Sequence, residues 1–120
     1  MKKLRVILSG VFMLAVSCMF GQSNNDIEID QFQKKIATEN YILVDVRTSE
    51  EYADGHLEGA LNLNYFSATF SEDIAKLGLE TPVLVYCQSG NRSRKSMKTM
   101  YNMGFKEVKN LIGGYKGWVS

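Results

Sequence analysis

The sequence has one proline, one histidine, two cysteines and no marked excess of either charge, with 14 Lys and Arg against 13 Asp and Glu in 120 residues. The near balance excludes the electrostatic footprint of a nucleic-acid-binding protein. No internal repeat or low-complexity tract interrupts the chain. With 45% hydrophobic residues and this length, the composition fits one compact domain and excludes both a two-domain protein and a disordered chain.

Nor is there an apolar run of the roughly 20 residues needed to cross a bilayer. The longest runs from Val6 to Phe20, follows the basic residues Lys2, Lys3 and Arg5, and gives way to Gly21-Gln22-Ser23-Asn24-Asn25-Asp26. A basic segment before an apolar one is the layout of a secretory signal. The sequence therefore predicts a signal peptide over residues 1–21, a linker over 22–26, a folded domain over 27–120, an exported, periplasmic product and no stable membrane span after cleavage. Ala15-Val16-Ser17 before Cys18 leaves lipoprotein attachment through Cys18 as the alternative, although a lipobox would want Leu where Ala15 stands. Removing the leader takes three of the 14 basic residues and leaves 11 against 13 acidic ones. Cys87 is then the one remaining thiol, without an intrachain partner.

The folded part alternates strand and helix signals. Ile27-Glu28-Ile29 reads as a short edge strand, and Asp30 as the cap of a helix with Phe32 and Ile36 on one face. Tyr41 to Val46 is a nearly continuous apolar run, the mark of a strand covered on both faces in a parallel sheet. Thr48 with Glu51 forms a capping box, and the short helix after it ends by Gly55. Leu61 and Leu63 alternate with asparagines as a third strand, and Ser71 to Leu77 is helical. Val83 to Tyr86 is a fourth strand, with Pro82 tolerated at its start. From Ser93 onward the period is helical, with Met97, Met100 and Tyr101 inward and Arg94, Lys95 and Lys98 outward. Val108 to Ile112 is the last strand, followed by a closing turn at Gly113-Gly114 with Trp118. The pattern predicts an open α/β fold with a mostly parallel five-stranded sheet flanked by helices.

The segment Cys87-Gln88-Ser89-Gly90-Asn91-Arg92-Ser93 lies between a buried strand and a helix, where open α/β sheets place their ligand sites. Gly90 and Asn91 can adopt positive φ and turn backbone N–H groups inward as an anion-binding nest. The following helix directs its positive end at the same place, and Arg92 adds a fork of donors suited to an oxyanion. Such surroundings depress the pKa of a thiol and make Cys87 a candidate nucleophile.

This loop resembles the active-site loop of single-domain rhodaneses. Val44-Asp45-Val46-Arg47 with Glu50-Glu51-Tyr52 and Gly55-His56-Leu57-Glu58-Gly59-Ala60 is similar to a second signature of that family, and Leu111 to Trp118 to a third. Glu58 departs from the proline often found there, and the sequence given ends two residues past Trp118. The resemblance implies a rhodanese-like fold and a sulfurtransferase. Cys87 would form a persulfide, while Gln88, Ser89, Gly90, Asn91, Arg92 and Ser93 bind the substrate; Asp45 and Arg47 support the fold. It implies a small anionic sulfur donor, a thiophilic acceptor such as cyanide, a thiol or a protein cysteine, and neither metal nor organic cofactor.

Three rival readings are weighed against it. A cysteine phosphatase or arsenate reductase needs five residues between its Cys and Arg, and here Gln88 to Asn91 are four. A non-catalytic binding module typically lacks the cysteine, and a thiol that only reports oxidation remains an alternative. His56 supports a turn in the resemblance and is not expected to act as a base.

Overall fold

The computed structural model describes residues 24–38 and 40–120. The expected leader, with Cys18, and the first two linker residues lie outside the described residues. In chain order the elements are β1 (Asp26–Ile27), α1 (Ile29–Thr38), β2 (Ile42–Asp45), α2 (Ser49–Ala53), β3 (Leu61–Asn62), α3 (Phe70–Ala75), β4 (Val83–Tyr86), α4 (Asn91–Met103), β5 (Val108–Leu111) and α5 (Gly114–Val119). The strands form one parallel sheet in the order β1-β5-β4-β2-β3. Among the described residues, no helix is long and apolar enough to cross a membrane.

The continuous apolar strands are explained by the two cores. Val83 and Val85 of β4 pack with Val44, Ile74, Met97 and Met100 on one face, whereas Leu84 and Tyr86 pack with Leu43, Phe32 and Leu111 on the other. Successive side chains point to opposite faces of a strand, so a strand covered on both sides must be apolar at every position. Val44 lies opposite Val85 and Asp45 opposite Tyr86. The chain thus leaves β2 and β4 at the same end of the sheet, with the segments beginning at Val46 and Cys87 side by side.

Several boundaries differ from the sequence expectation. The first strand begins at Asp26, a residue expected in the linker, and Ile29 is already helical. Asp30 lies within the first turn, where its carboxylate accepts from the Gln31 amide at 2.9 Å. Phe32 is fully buried and meets Trp118 edge-on at 6.2 Å, whereas Ile36, expected on the same face, is exposed in the last turn. Helix α4 starts at Asn91 rather than Ser93. Gly90 alone takes the left-handed conformation there (φ 109°) and turns the chain, so Asn91, expected to share that freedom, begins the helix. The closing turn is a short helix, α5, entered through Gly113.

Thr48 and Glu51 form the expected reciprocal capping box at the start of α2. Just before it lies a buried ion pair. Arg47 donates Nε to both carboxylate oxygens of Asp45 at 3.1 Å and Nη2 to Oδ2 at 2.8 Å, with the two side chains 2% and 0% exposed. Asp45 also accepts the Arg47 amide at 2.8 Å. A charge pair this deep tolerates the loss of neither partner.

Three substitutions are expected to separate in urea denaturation. Phe32→Ala should cost about 3–5 kcal/mol, while Ile36→Ala, in exposed surroundings, should stay within about 0.5 kcal/mol. Asp45→Ala should cost about 3–5 kcal/mol, because it leaves the Arg47 guanidinium buried without its counter-charge.

Candidate active site

Cys87 follows the last residue of β4 and is only 1% exposed. Its sulfur accepts the Gly90 amide at 3.1 Å and the Ser93 hydroxyl at 3.3 Å. Burial by itself pushes the thiol pKa up. The Ser93 hydroxyl and the backbone N–H groups of Ser93, Gly90 and Ser89 outweigh it, so the thiol is held below its ordinary value. The Gly90 amide thus faces the sulfur, as the sequence expects of an inward-turned loop. The charge-stabilising groups are the loop's own donors, and Arg92 is not among the principal causes.

The local sequence makes this cup. Gly90 supplies the left-handed turn that brings its own N–H under the sulfur, and its carbonyl accepts from the Ser93 hydroxyl at 3.2 Å and from the Arg94 amide at 3.1 Å. Ser93 is fully buried in the first turn of α4, facing the sulfur. Ser89 and Asn91 are exposed at the rim.

The far side of the loop is clamped by the chain's end. The Tyr115 amide donates to the Cys87 carbonyl at 2.8 Å and the Lys116 amide to the Gln88 carbonyl at 3.0 Å. A Cβ on Gly114 would lie 2.5 Å from the Cys87 carbonyl oxygen and 2.6 Å from the Gln88 carbonyl, so this close approach admits only glycine. The Gly113-Gly114 pair, read from the sequence as a turn, thus holds the carbonyls of the Cys87 loop with the free N–H groups of a helix start.

The remaining predicted residues are placed as follows. The Gln88 side chain accepts Arg47 Nη1 at 3.1 Å, while Arg47 Nη2 donates to the Gly55 carbonyl at 2.7 Å. The Arg47 guanidinium also lies 4.3 Å from the Tyr115 ring centroid and 5.6 Å from that of Tyr86. Asp45 and Arg47 thereby have the supporting place expected of them. Arg92 does not point a free fork into the loop. It makes a two-bond pair with Glu51, Nη1 to Oε1 at 2.8 Å and Nη2 to Oε2 at 3.0 Å, and stands 5.5 Å from the centroid of the exposed Phe66 ring. His56 is exposed and stacks on Tyr52 at 3.6 Å, with Nδ1 2.8 Å from the Tyr52 carbonyl oxygen, as a turn-supporting residue does.

Glu51 is the residue of the site that sequence reasoning missed. The capping box accounted for it as a helix start, yet one carboxylate serves both the cap and Arg92. Glu51 and Arg92 meet because the parallel pairing of β2 with β4 brings the segments after both strands to one end of the sheet. Arg92, before other causes, holds Glu51 far below the usual carboxylate range, at about 2. Beside the loop opens a cleft of about 260 Å³ lined by Arg47, Glu51, Asp54, Gly55, Gln88 and Tyr115.

Residues 28–120 match the profile of the rhodanese-like domain. The chain is 39% identical over 77 residues to the thiosulfate sulfurtransferase GlpE of Coxiella burnetii, a stretch covering 64% of this chain and 70% of that protein. It is 36% identical over 85 residues to thiosulfate sulfurtransferase 16, chloroplastic, of Arabidopsis thaliana, covering 62% of this chain and 71% of the relative. Among solved structures, the fold resembles a rhodanese-like domain protein from Staphylococcus aureus, with a TM-score of 0.70, 25% identity and coverage of 78% of this chain and 90% of that one. It also resembles a human single-domain sulfurtransferase, with a TM-score of 0.66, 22% identity and coverage of 81% and 96%. With its profile matched from Glu28 to Ser120 and its cysteine loop at the carboxyl end of a central parallel strand, the chain belongs to the rhodanese-like domain family.

Proposed function

We propose that this protein is a sulfurtransferase that carries a sulfane sulfur as a persulfide on Cys87. The observation that carries the reading is the set of donors converging on a buried sulfur at the end of β4, Gly90 N–H at 3.1 Å and Ser93 Oγ–H at 3.3 Å. Donors fixed in place favour the thiolate over the thiol, so the nucleophile of the first half-reaction and the leaving group of the second are stabilised without reorganisation. The two relatives named thiosulfate sulfurtransferases support the same class. The basic and apolar leader supports an exported form of the enzyme.

With thiosulfate as donor, the Cys87 thiolate attacks the outer sulfur. A bond forms between the two sulfurs, the bond to the sulfonate sulfur breaks, and sulfite leaves with the electron pair. In the second half, a thiophilic acceptor such as cyanide attacks the outer sulfur of the persulfide. Thiocyanate leaves and the Cys87 thiolate returns. Gln88, Ser89, Gly90, Asn91, Arg92 and Ser93 surround the donor in this reading, and no step calls on a metal or organic cofactor. Four residues separate Cys87 from Arg92, one fewer than a cysteine phosphatase needs.

Thiocyanate formation from thiosulfate and cyanide is the direct assay. Wild type should form it, Cys87→Ser should form none, and neither should hydrolyse an aryl phosphate; wild-type protein without thiocyanate production would contradict the proposal. The pH dependence of Cys87 alkylation by iodoacetamide tests the electrostatics separately. The wild-type midpoint should lie below the roughly 8.5 of an ordinary thiol. A depressed pKa keeps the thiolate as pH falls, so reactivity should persist under mildly acidic conditions. Ser93→Ala removes one hydrogen bond to the anion and should raise the midpoint by about one pH unit.

A further inference from the structure

We infer that Glu51 selects sulfur donors by charge, holding Arg92 in an ion pair that disfavours dianionic donors such as thiosulfate relative to singly charged or uncharged hydropersulfides. The inference rests on the sulfurtransferase reading of Cys87 and names its donor class. Both guanidinium groups near the nucleophile loop already have partners: Arg92 gives both terminal nitrogens to Glu51, and Arg47 is divided among Asp45, Gln88 and the Gly55 carbonyl. An incoming dianion therefore meets paired cations, and must separate Arg92 from Glu51 to gain the arginine for itself.

Glu51 cannot withdraw to make room. Its Oε1 also accepts the Thr48 amide at 3.0 Å and the Thr48 hydroxyl at 3.2 Å, which fix the carboxylate to the start of α2 whether or not Arg92 stays. A donor that drew Arg92 away would leave an anchored, uncompensated carboxylate facing its own negative charge. Glu51 is ionised throughout the neutral range, since its pKa is held at about 2. The cleft beside the loop adds a second carboxylate, Asp54, to the same wall. Like charges across a partly desolvated cleft repel more strongly than in open water.

A hydropersulfide avoids this cost. The Cys87 thiolate attacks its outer sulfur, one S–S bond forms as another breaks, and the donor's remaining sulfur leaves as a thiolate with the electron pair. The proton on the outer sulfur is carried over, so atoms and charge balance. Glu51 touches neither sulfur in this account and is a positioning residue that acts through Arg92.

Glu51→Gln separates this role from a structural one. Glutamine retains the side-chain oxygen that a capping box uses, so α2 keeps its start while the charge is lost. Two measurements on wild type and Glu51→Gln decide the matter. The first is the ratio of Cys87 alkylation rates by iodoacetate and iodoacetamide, a matched anionic and uncharged pair. The ratio should rise about tenfold in Glu51→Gln, the scale of one nearby charge after solvent screening. The second is steady-state turnover of thiosulfate, whose KM should fall several-fold with little change in kcat. An unchanged alkylation ratio, or a thiosulfate KM that stays the same or rises, would overturn the selector. A raised alkylation ratio without sulfur uptake from thiosulfate or a hydropersulfide by either protein would overturn the sulfurtransferase reading and the donor preference with it, leaving only electrostatic control of the thiol.

Discussion

The Asp45–Arg47 ion pair is the constraint on which the rest of the site depends. Among the described residues Arg47 is the largest fully buried side chain, and its guanidinium joins four pieces of chain: the end of β2 through Asp45, the segment after α2 through the Gly55 carbonyl, the Cys87 loop through Gln88, and α5 through the Tyr115 ring. A buried cation is costly unless its hydrogen bonds and charge are met. Here they are met by groups from separate segments, so satisfying one side chain fixes their relative positions. Asn62 extends the arrangement to β3, donating to the carbonyls of Asp45 and Arg47 at 3.0 and 2.9 Å.

Within that frame, the Cys87 loop is held from both sides. Its carbonyls are taken by the start of α5, which leaves its N–H groups free to face the Cys87 sulfur. The division matters chemically. Carbonyls turned toward the sulfur would repel a thiolate, whereas N–H and hydroxyl donors favour it. Burial at 1% exposure works against the charge, and fixed donors outweigh it; the same burial keeps a reactive sulfur away from bulk water.

Much of this was legible in the sequence because the dominant signals are local. The apolar runs from Tyr41 to Val46 and from Val83 to Tyr86 indicated covered parallel strands, and the Thr48–Glu51 capping box fixed the start of α2. Gly90, placed next to a strand end and a helix start, marked the turn under Cys87. What failed was weak or non-local. Two-residue strands such as β1 have too little periodicity to locate, and Ile36 obeys helical spacing in a helix that buries only one turn. The start of α4 depended on whether Gly90 alone or Gly90 with Asn91 made the turn, which composition does not decide. Neither the Glu51 partnership with Arg92 nor the Gly114 approach to the Cys87 carbonyl leaves a pattern in consecutive residues, since each joins segments far apart in the chain.

The central claim is that the sulfur resides on Cys87 between the two halves of the reaction, and intact mass tests it without reliance on turnover. The folded domain should be measured without reductant before and after exposure to thiosulfate or inorganic polysulfide. The account predicts a gain of one sulfur atom in wild type, none in Cys87→Ser, and reversal by cyanide with thiocyanate released in equal amount. A reduced and alkylatable Cys87 that takes up no sulfur from either donor would contradict it and leave a rhodanese-like fold that binds without transferring.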